Sequence, residues 1–321
     1  MTLAITHLPI ADGAKGRARW LADRREDVTA SEVPALYGRH KYLTRLGLTY
    51  NKLYGENEAK RDTVLRRGQI LEPAVAAAIE YDHGLQVRKV YHYLRGRDPA
   101  DPHLRIGATL DYDLETDGTD LLETLARAKV RHPWDELDGL PVRLAIECKS
   151  LDRDIFDGEW TDGPPEQHVW QALVQAMLGG YDGALIAALV VNYSHDLHLF
   201  AVPRNPVLEA KICADVAGFW RAFEAGDKPA AEARDNASMG KWSRPEANTV
   251  VDLRDDMAWP LLLEEREMYQ ARIAAADHEV DAIEARLKEA IGDRTVALVD
   301  GWSVTWKPDK LGRRKLLISR K

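Results

Sequence analysis

The chain has 321 residues, 45% of them hydrophobic and 30% charged, which is enough for one large domain or two ordinary ones and excludes a disordered or fibrous class. No apolar run approaches the length of a membrane span, and the N-terminus does not read as a secretory signal. Cys148 and Cys213 are too few for a four-thiolate zinc or iron–sulfur site, so a reducing, cytoplasmic setting is the default expectation. The net charge of −8 argues against a DNA partner, but its distribution does not: residues 1–70 carry +5, residues 307–321 carry +6, and the remainder −19.

In chain order, Trp20 to Arg25 reads as a short helix, and Thr29-Ala30-Ser31-Glu32 as an N-cap opening a second one through Leu36, stopped by Gly38. Thr44 to Tyr54, closed by Gly55, and Leu65 to Tyr81 are further helices. Val87–Leu94, Leu104–Tyr112 and Arg143–Lys149 read as strands, the last two separated by an acidic, Gly/Pro-containing segment. Glu166 to Leu178 is a helix ended by Gly179-Gly180. Ala184–Tyr193 with Leu197–Val202 suggests a hairpin, and Pro206–Ala225 a helix. Gly226 to Asn248 reads as a linker. Beyond it, Tyr269, Ile273, Ala276, Val280, Ile283 and Leu287 form a heptad seam on a helix from Leu261 to Ile291, which packs on its own domain or associates with itself. Asp300-Gly301 between two short apolar runs predicts a hairpin, and the basic residues from Lys307 a tail that is either solvated or touches DNA or an acidic partner. The expected fold class is α/β: a mixed central sheet flanked by helices over 1–225, a linker or extended segment over 226–260, and a long helix, β-hairpin and basic tail over 261–321.

The chemistry concentrates in a few places. On a strand through Leu144–Lys149, Leu144, Ile146 and Cys148 face one way, while Glu147 and Lys149 share the other. A carboxylate beside an ammonium at a strand end can bind a hard cation and steer a water, although the same pattern also arises on solvated strands. Asp111 ends the strand before it; beside Glu147 it would share one metal, and otherwise it is a turn residue. Glu72 lies among Ile70, Leu71, Val75 and Ile79, where a charge needs a partner or a metal unless it faces solvent beside Arg66 or Arg67. His168, Gln171 and Gln175 form a polar stripe on one helix, either an exposed face or a set of donors over the strand ends.

Taken together, Arg67-Gly68-x-x-x-Glu72, Thr109-Leu110-Asp111, Glu147-Cys148-Lys149 and Gln171 with Gln175 resemble, in order and rough spacing, the YqaJ/lambda-exonuclease group of PD-(D/E)xK nucleases. Trp20-x-x-x-Arg24 with Thr29–Val33 resembles that group's N-terminal segment, so the likeness runs over about residues 17–200. It implies a restriction-endonuclease-like core. It also implies a magnesium-dependent nuclease, manganese being an acceptable substitute, that digests double-stranded DNA ends 5′ to 3′ in phage-type recombination. Asp111, Glu147 and the Cys148 carbonyl would hold the metal, with Glu72 serving it directly or through water. Lys149 would orient or deprotonate the attacking water, Gln171 would support it, and Arg24, Ser31, Arg67 and Gln175 would meet DNA. A ring-like homo-oligomer and a single-strand annealing partner are further implications; an endonuclease or defence nuclease of the same fold, or a non-catalytic DNA-binding protein, are the alternatives. The sequence departs from the group in having Leu110 and Tyr112 around Asp111 instead of Pro and Gly, and in the long acidic stretch from Glu115 to Leu140 with Trp134.

Overall fold

The structure is a computed structural model that describes residues 3–11, 13–55, 62–192, 195–242 and 249–320. It divides into two compact units, Met1–Ser243 and Arg244–Lys321. This boundary falls inside the predicted linker, of which 243–248 lie outside the described residues, as does Tyr193 at the end of a predicted strand.

The first unit opens with β1 (Ala4–Pro9), α1 (Gly13–Arg25), β2 (Val28–Thr29), α2 (Val33–Leu36), α3 (Arg45–Tyr54) and α4 (Asp62–His83). β1 has too little alternation to be legible in the sequence. The Thr29–Glu32 N-cap does not form. Val28–Thr29 pairs as a strand with Ile106–Gly107, and Glu32, the residue before α2, makes no capping bond but turns its carboxylate back to the Thr29 N–H (2.8 Å). α3 is capped as expected: Thr44 accepts from the Gly47 N–H, and Gly55, at φ 86°, ends the helix in a conformation that L side chains resist.

Two predicted strands are each broken in two. Val87–Leu94 becomes β3 (Val87–Lys89) and β4 (His92–Asp98). Leu104–Tyr112 becomes β5 (Asp101–Thr109) and β6 (Tyr112–Asp117). In both cases the first and second pieces join different sheets, ordered β1-β4-β5-β2 and β3-β6-β7-β8-β9. The second sheet is completed by β7 (Pro141–Leu151), β8 (Gly183–Val191) and β9 (His195–Pro203). It is mixed: β6 runs antiparallel to β7, β7 parallel to β8, and β8 antiparallel to β9. The crossing from β5 to β6 is the residue pair Leu110-Asp111, with Leu110 buried.

Between β6 and β7 the acidic stretch folds rather than looping out. α5 (Gly118–Arg127) carries an Asp117 cap and buries Leu121 and Leu125. Trp134 is 2% exposed, packs with them and lies close enough to Gly183 that a Cβ there would meet its ring at 2.5 Å. α6 (Arg153–Glu159), α7 (Glu166–Gly179), α8 (Pro206–Glu224) and α9 (Asn236–Trp242) complete the unit. One face of the β7–β8 region, with Ala145, Ile186 and Ala188, packs against α7, while α8 packs on β5; the other face, with Leu144, Ile146 and Cys148, packs against Val75 and Ile79 of α4. The segment after α8 includes Asp235, which is buried and accepts from the Thr44 hydroxyl, and Trp242, which stacks on Tyr50 of α3 at 4.9 Å.

In the second unit, α10 (Ala258–Ile291) is followed by β10 (Val296–Val299), β11 (Trp302–Pro308) and β12 (Arg314–Arg320). The hairpin forms, but the expected basic tail is not solvated coil: β12 pairs along the whole of β11. Its arginines find aromatic partners, Arg314 over Trp306 at 3.6 Å and Arg320 over Trp302 at 5.2 Å. No helix among the described residues is long and apolar enough to cross a membrane.

Candidate active site

The strand register builds the site. Tyr112 pairs with Ile146, so Asp111, one residue before β6 begins, lies level with Glu147 on β7. Asp111 accepts the Cys148 N–H through Oδ2 at 2.9 Å. The N–H and C=O of one strand residue point to the same side, so the Cys148 carbonyl is directed to the side on which Asp111 lies, where β6 no longer covers it. The Cys148 thiol faces the other sheet face and stays protonated, because burial and the neighbouring carboxylates push its pKa far up.

Glu147 is 2% exposed, yet both its oxygens are served. Oε1 accepts from the Lys149 ammonium and from the Gln171 amide at 2.7 Å; Oε2 accepts from the Gln175 amide at 2.5 Å. The polar stripe of α7 is therefore not a plain exposed face: Gln171 and Gln175 reach down onto Glu147. Gln175 also donates to the Thr109 carbonyl at 2.9 Å and is itself 1% exposed. The structure turns this side chain, an expected DNA contact, to the inward face of α7, where its amide serves Glu147 and Thr109. His168 stacks on Trp160 at 5.3 Å, and burial with the nearby Lys149 charge lowers its pKa to about 2, so it stands neutral.

The charges do not balance evenly. Asp111 is pushed well above its ordinary pKa by burial and by repulsion from Glu147 and Glu72, which the Lys149 charge and the Cys148 N–H only partly offset. Burial works against the Lys149 charge, but Glu147 and Asp111 outweigh it and raise its pKa, so the side chain remains an ammonium. Glu72 pairs with Lys89 at 2.6 Å, and not with Arg66 or Arg67 as the solvent-facing alternative had it. Lys89 also lies over the Tyr112 ring at 4.7 Å and feels Asp111. Sequence reading missed it, because Val87–Leu94 reads as one strand; the break after Lys89 and its pairing with Tyr112 bring it to the carboxylates. Arg67 forms a two-pronged bridge to Asp152 at 2.7 and 3.3 Å and is 40% exposed.

The N-terminal motif is linked to this centre through Thr109. The Trp20 indole donates to the Thr109 hydroxyl at 3.0 Å, the Arg24 guanidinium lies over Trp20 at 4.7 Å, and Arg24 reaches the Ser31 hydroxyl at 3.5 Å. Ser31 sits on a turn held from beneath by Glu32, whose carboxylate accepts from the Thr29 N–H and hydroxyl and from buried Lys52.

Among the described residues no three His, Cys, Asp or Glu side chains come close enough together to hold a metal ion unaided. The donor set nonetheless suits a hard cation. Two level carboxylates and an uncovered carbonyl are oxygen ligands, the local charge is in negative excess, and magnesium usually keeps waters and takes few protein ligands.

No curated protein matches the chain. Among solved structures it is similar to an alkaline exonuclease, LHK-Exo, from Laribacter hongkongensis (20% identity, 65% of this chain and 93% of that one, TM-score 0.45). A structure of LHK-Exo in complex with dAMP is alike to a similar degree (19% identity, the same coverages, TM-score 0.46). The sequence profile of the YqaJ-like viral recombinase domain matches residues 19–182, a span running from the Trp20–Arg24 motif through the carboxylates to the end of α7 and beyond. The chain belongs to the YqaJ-like viral recombinase domain family.

Proposed function

We propose that the chain is a magnesium-dependent deoxyribonuclease that digests double-stranded DNA from its ends, 5′ to 3′, in phage-type recombination alongside a single-strand annealing protein. The observation that carries this reading is the level placement of Asp111 and Glu147 with Lys149 against them. Asp111, Glu147 and the Cys148 carbonyl would hold the cation, with Glu72 in reach once its bridge to Lys89 is shared. A bound divalent ion neutralises the scissile phosphate and lowers the pKa of an attacking water. The residues of the chain supply the rest. Gln171 and Gln175 fix the Glu147 carboxylate in one orientation, so little reorganisation is needed at the moment of reaction. Lys149, held charged, orients the attacking water by hydrogen bonding. Arg24 with Ser31 offers a charge-assisted donor pair for a terminal phosphate.

The test is digestion of one plasmid in linear and closed-circular form with magnesium, the linear form carrying either 5′-phosphate or 5′-hydroxyl ends. The proposal expects loss of the linear form only, faster from 5′-phosphate. Cutting of closed circles would overturn the exonuclease reading in favour of an endonuclease with the same centre.

A further inference from the structure

α10 is 34 residues long, about 50 Å at 1.5 Å per residue. Its apolar residues do not face a core within their own unit. Trp259, Leu262, Tyr269, Ile273, Val280 and Ile283 are 41–61% exposed, and only Ile291, at the last turn, is buried. Continued in both directions, the seam predicted from Tyr269 to Leu287 takes in Trp259, Leu262 and Ala290, so apolar residues recur at 3.5-residue spacing through more than four heptads, broken once by Arg266. A stripe this long on a soluble helix needs a cover.

We propose that the cover is the same helix of a second copy, packed antiparallel about a two-fold axis between Ala274 and Ala275. In that register Ile273 meets Ala276 of the other copy, Tyr269 meets Val280, Leu262 meets Leu287, and Trp259 meets Ala290. On one flank of the seam the charges then match, Glu265 facing Arg286 and Arg272 facing Glu279; on the other, Asp277 faces Gln270 and Glu284 faces Leu263, so like charges meet on neither. Arg266, the one charged seam position, turns aside to donate to Gln270 at 3.0 Å and meets Ile283 with its stem. The parallel arrangement would pair Arg272 with Asp277, but it would also stack Arg266 on Arg266 and set Glu279 against Glu284. Other cover, such as an acidic or basic partner helix, has no comparable match, because the charges on one flank, Glu265, Arg272, Glu279 and Arg286, alternate in sign and are complementary to their own reversed order.

Sedimentation equilibrium of the full-length chain tests this, with Arg272→Glu, Glu279→Arg and their equimolar mixture. Each single variant sets like charges together twice per dimer and is expected to associate roughly tenfold more weakly; the mixture, in which each variant complements the other, regains wild-type association. These side chains are exposed in the single chain, so folding does not depend on them. Because the nuclease unit can self-associate through other surfaces, a second readout is specific to the helix. Arg272→Cys mixed with Glu279→Cys should give a mixed disulfide dimer on oxidation, and neither variant alone should; Cys148 and Cys213 are buried and do not compete. Unchanged association in both charge variants, tighter association of Glu279→Arg, or absence of the mixed disulfide would overturn the antiparallel pairing.

Discussion

Replacing Lys52 with Met removes one half of a buried ion pair beneath the turn that presents Ser31. The two side chains are 3% and 6% exposed, and the ammonium contacts both Glu32 oxygens at 2.9 and 2.7 Å and the Arg24 carbonyl at 3.1 Å. Removing one partner of such a pair typically costs about 3–5 kcal/mol, because the remaining charge stays out of water. Thr29 still donates twice to Glu32, which places the expected loss toward the lower end of that range. For a unit of this size it corresponds to a fall in Tm of roughly 6–20 °C. The loss should also depend on pH with a definite sign. Burial alone would raise the Glu32 pKa, but Lys52, Arg24 and the hydrogen bonds together hold it below the ordinary value. Its contribution in the wild type is therefore present above the unfolded pKa and is lost as pH falls through the folded one. Without Lys52 burial dominates, Glu32 takes up a proton at higher pH, and the mutant's penalty shrinks on acidification. Urea unfolding of both proteins at pH 7.5 and pH 5 measures this, with Glu32→Gln/Lys52→Met as the control that should regain most of the loss. A cost below about 1 kcal/mol at pH 7.5, or a gap that widens at pH 5, would refute the reasoning.

Three further outcomes follow from the same geometry. Lys149→Ala should slow digestion of linear duplex by roughly 10²–10⁴-fold at saturating magnesium, if the ammonium orients the attacking water as proposed; a loss confined to metal affinity, read from a magnesium titration, would contradict that role. His168, neutral in the fold with a pKa of about 2, should resist acid poorly: the unfolded chain binds a proton below pH 6.5 that the folded one refuses, so this residue alone costs about 1.3 kcal/mol between pH 7.5 and 5.5. His168→Gln should lose less stability over that interval in thermal melts. Gln175→Leu should lower kcat with KM for DNA nearly unchanged, because the amide serves Glu147 from a buried position; a rise in KM alone would restore the DNA-contact reading.

Much of the site was legible in the sequence because its signals are local. Glu147, Cys148 and Lys149 lie on one strand whose alternation assigns their faces, and Gln171 and Gln175 share one face of a helix. What escaped depends on tertiary placement. Leu104–Tyr112 alternates as one strand and gives no sign that Leu110-Asp111 passes from one sheet to another, yet that passage sets Asp111 level with Glu147. The same break after Lys89 hid the partner of Glu72. Thr29–Glu32 satisfied the composition of an N-cap, but buried Lys52 competes for the Glu32 carboxylate. Trp134 read as part of an insertion because acidic neighbours masked the apolar face that α5 turns to the sheet. Arg314 and Arg320 read as a solvated tail because a strand whose arginines lie over tryptophans lacks apolar alternation.

The central claim is that Asp111 and Glu147 together hold the cation that cleaves DNA, and the most direct measurement is the rate at which Asp111→Asn digests a 5′-phosphorylated linear duplex at saturating magnesium. The substitution keeps the shape and removes one buried negative charge, so the fold should melt at or above the wild-type temperature. The account predicts a fall in rate of about 10³-fold or more in this soundly folded protein; digestion within a few-fold of wild type would contradict it.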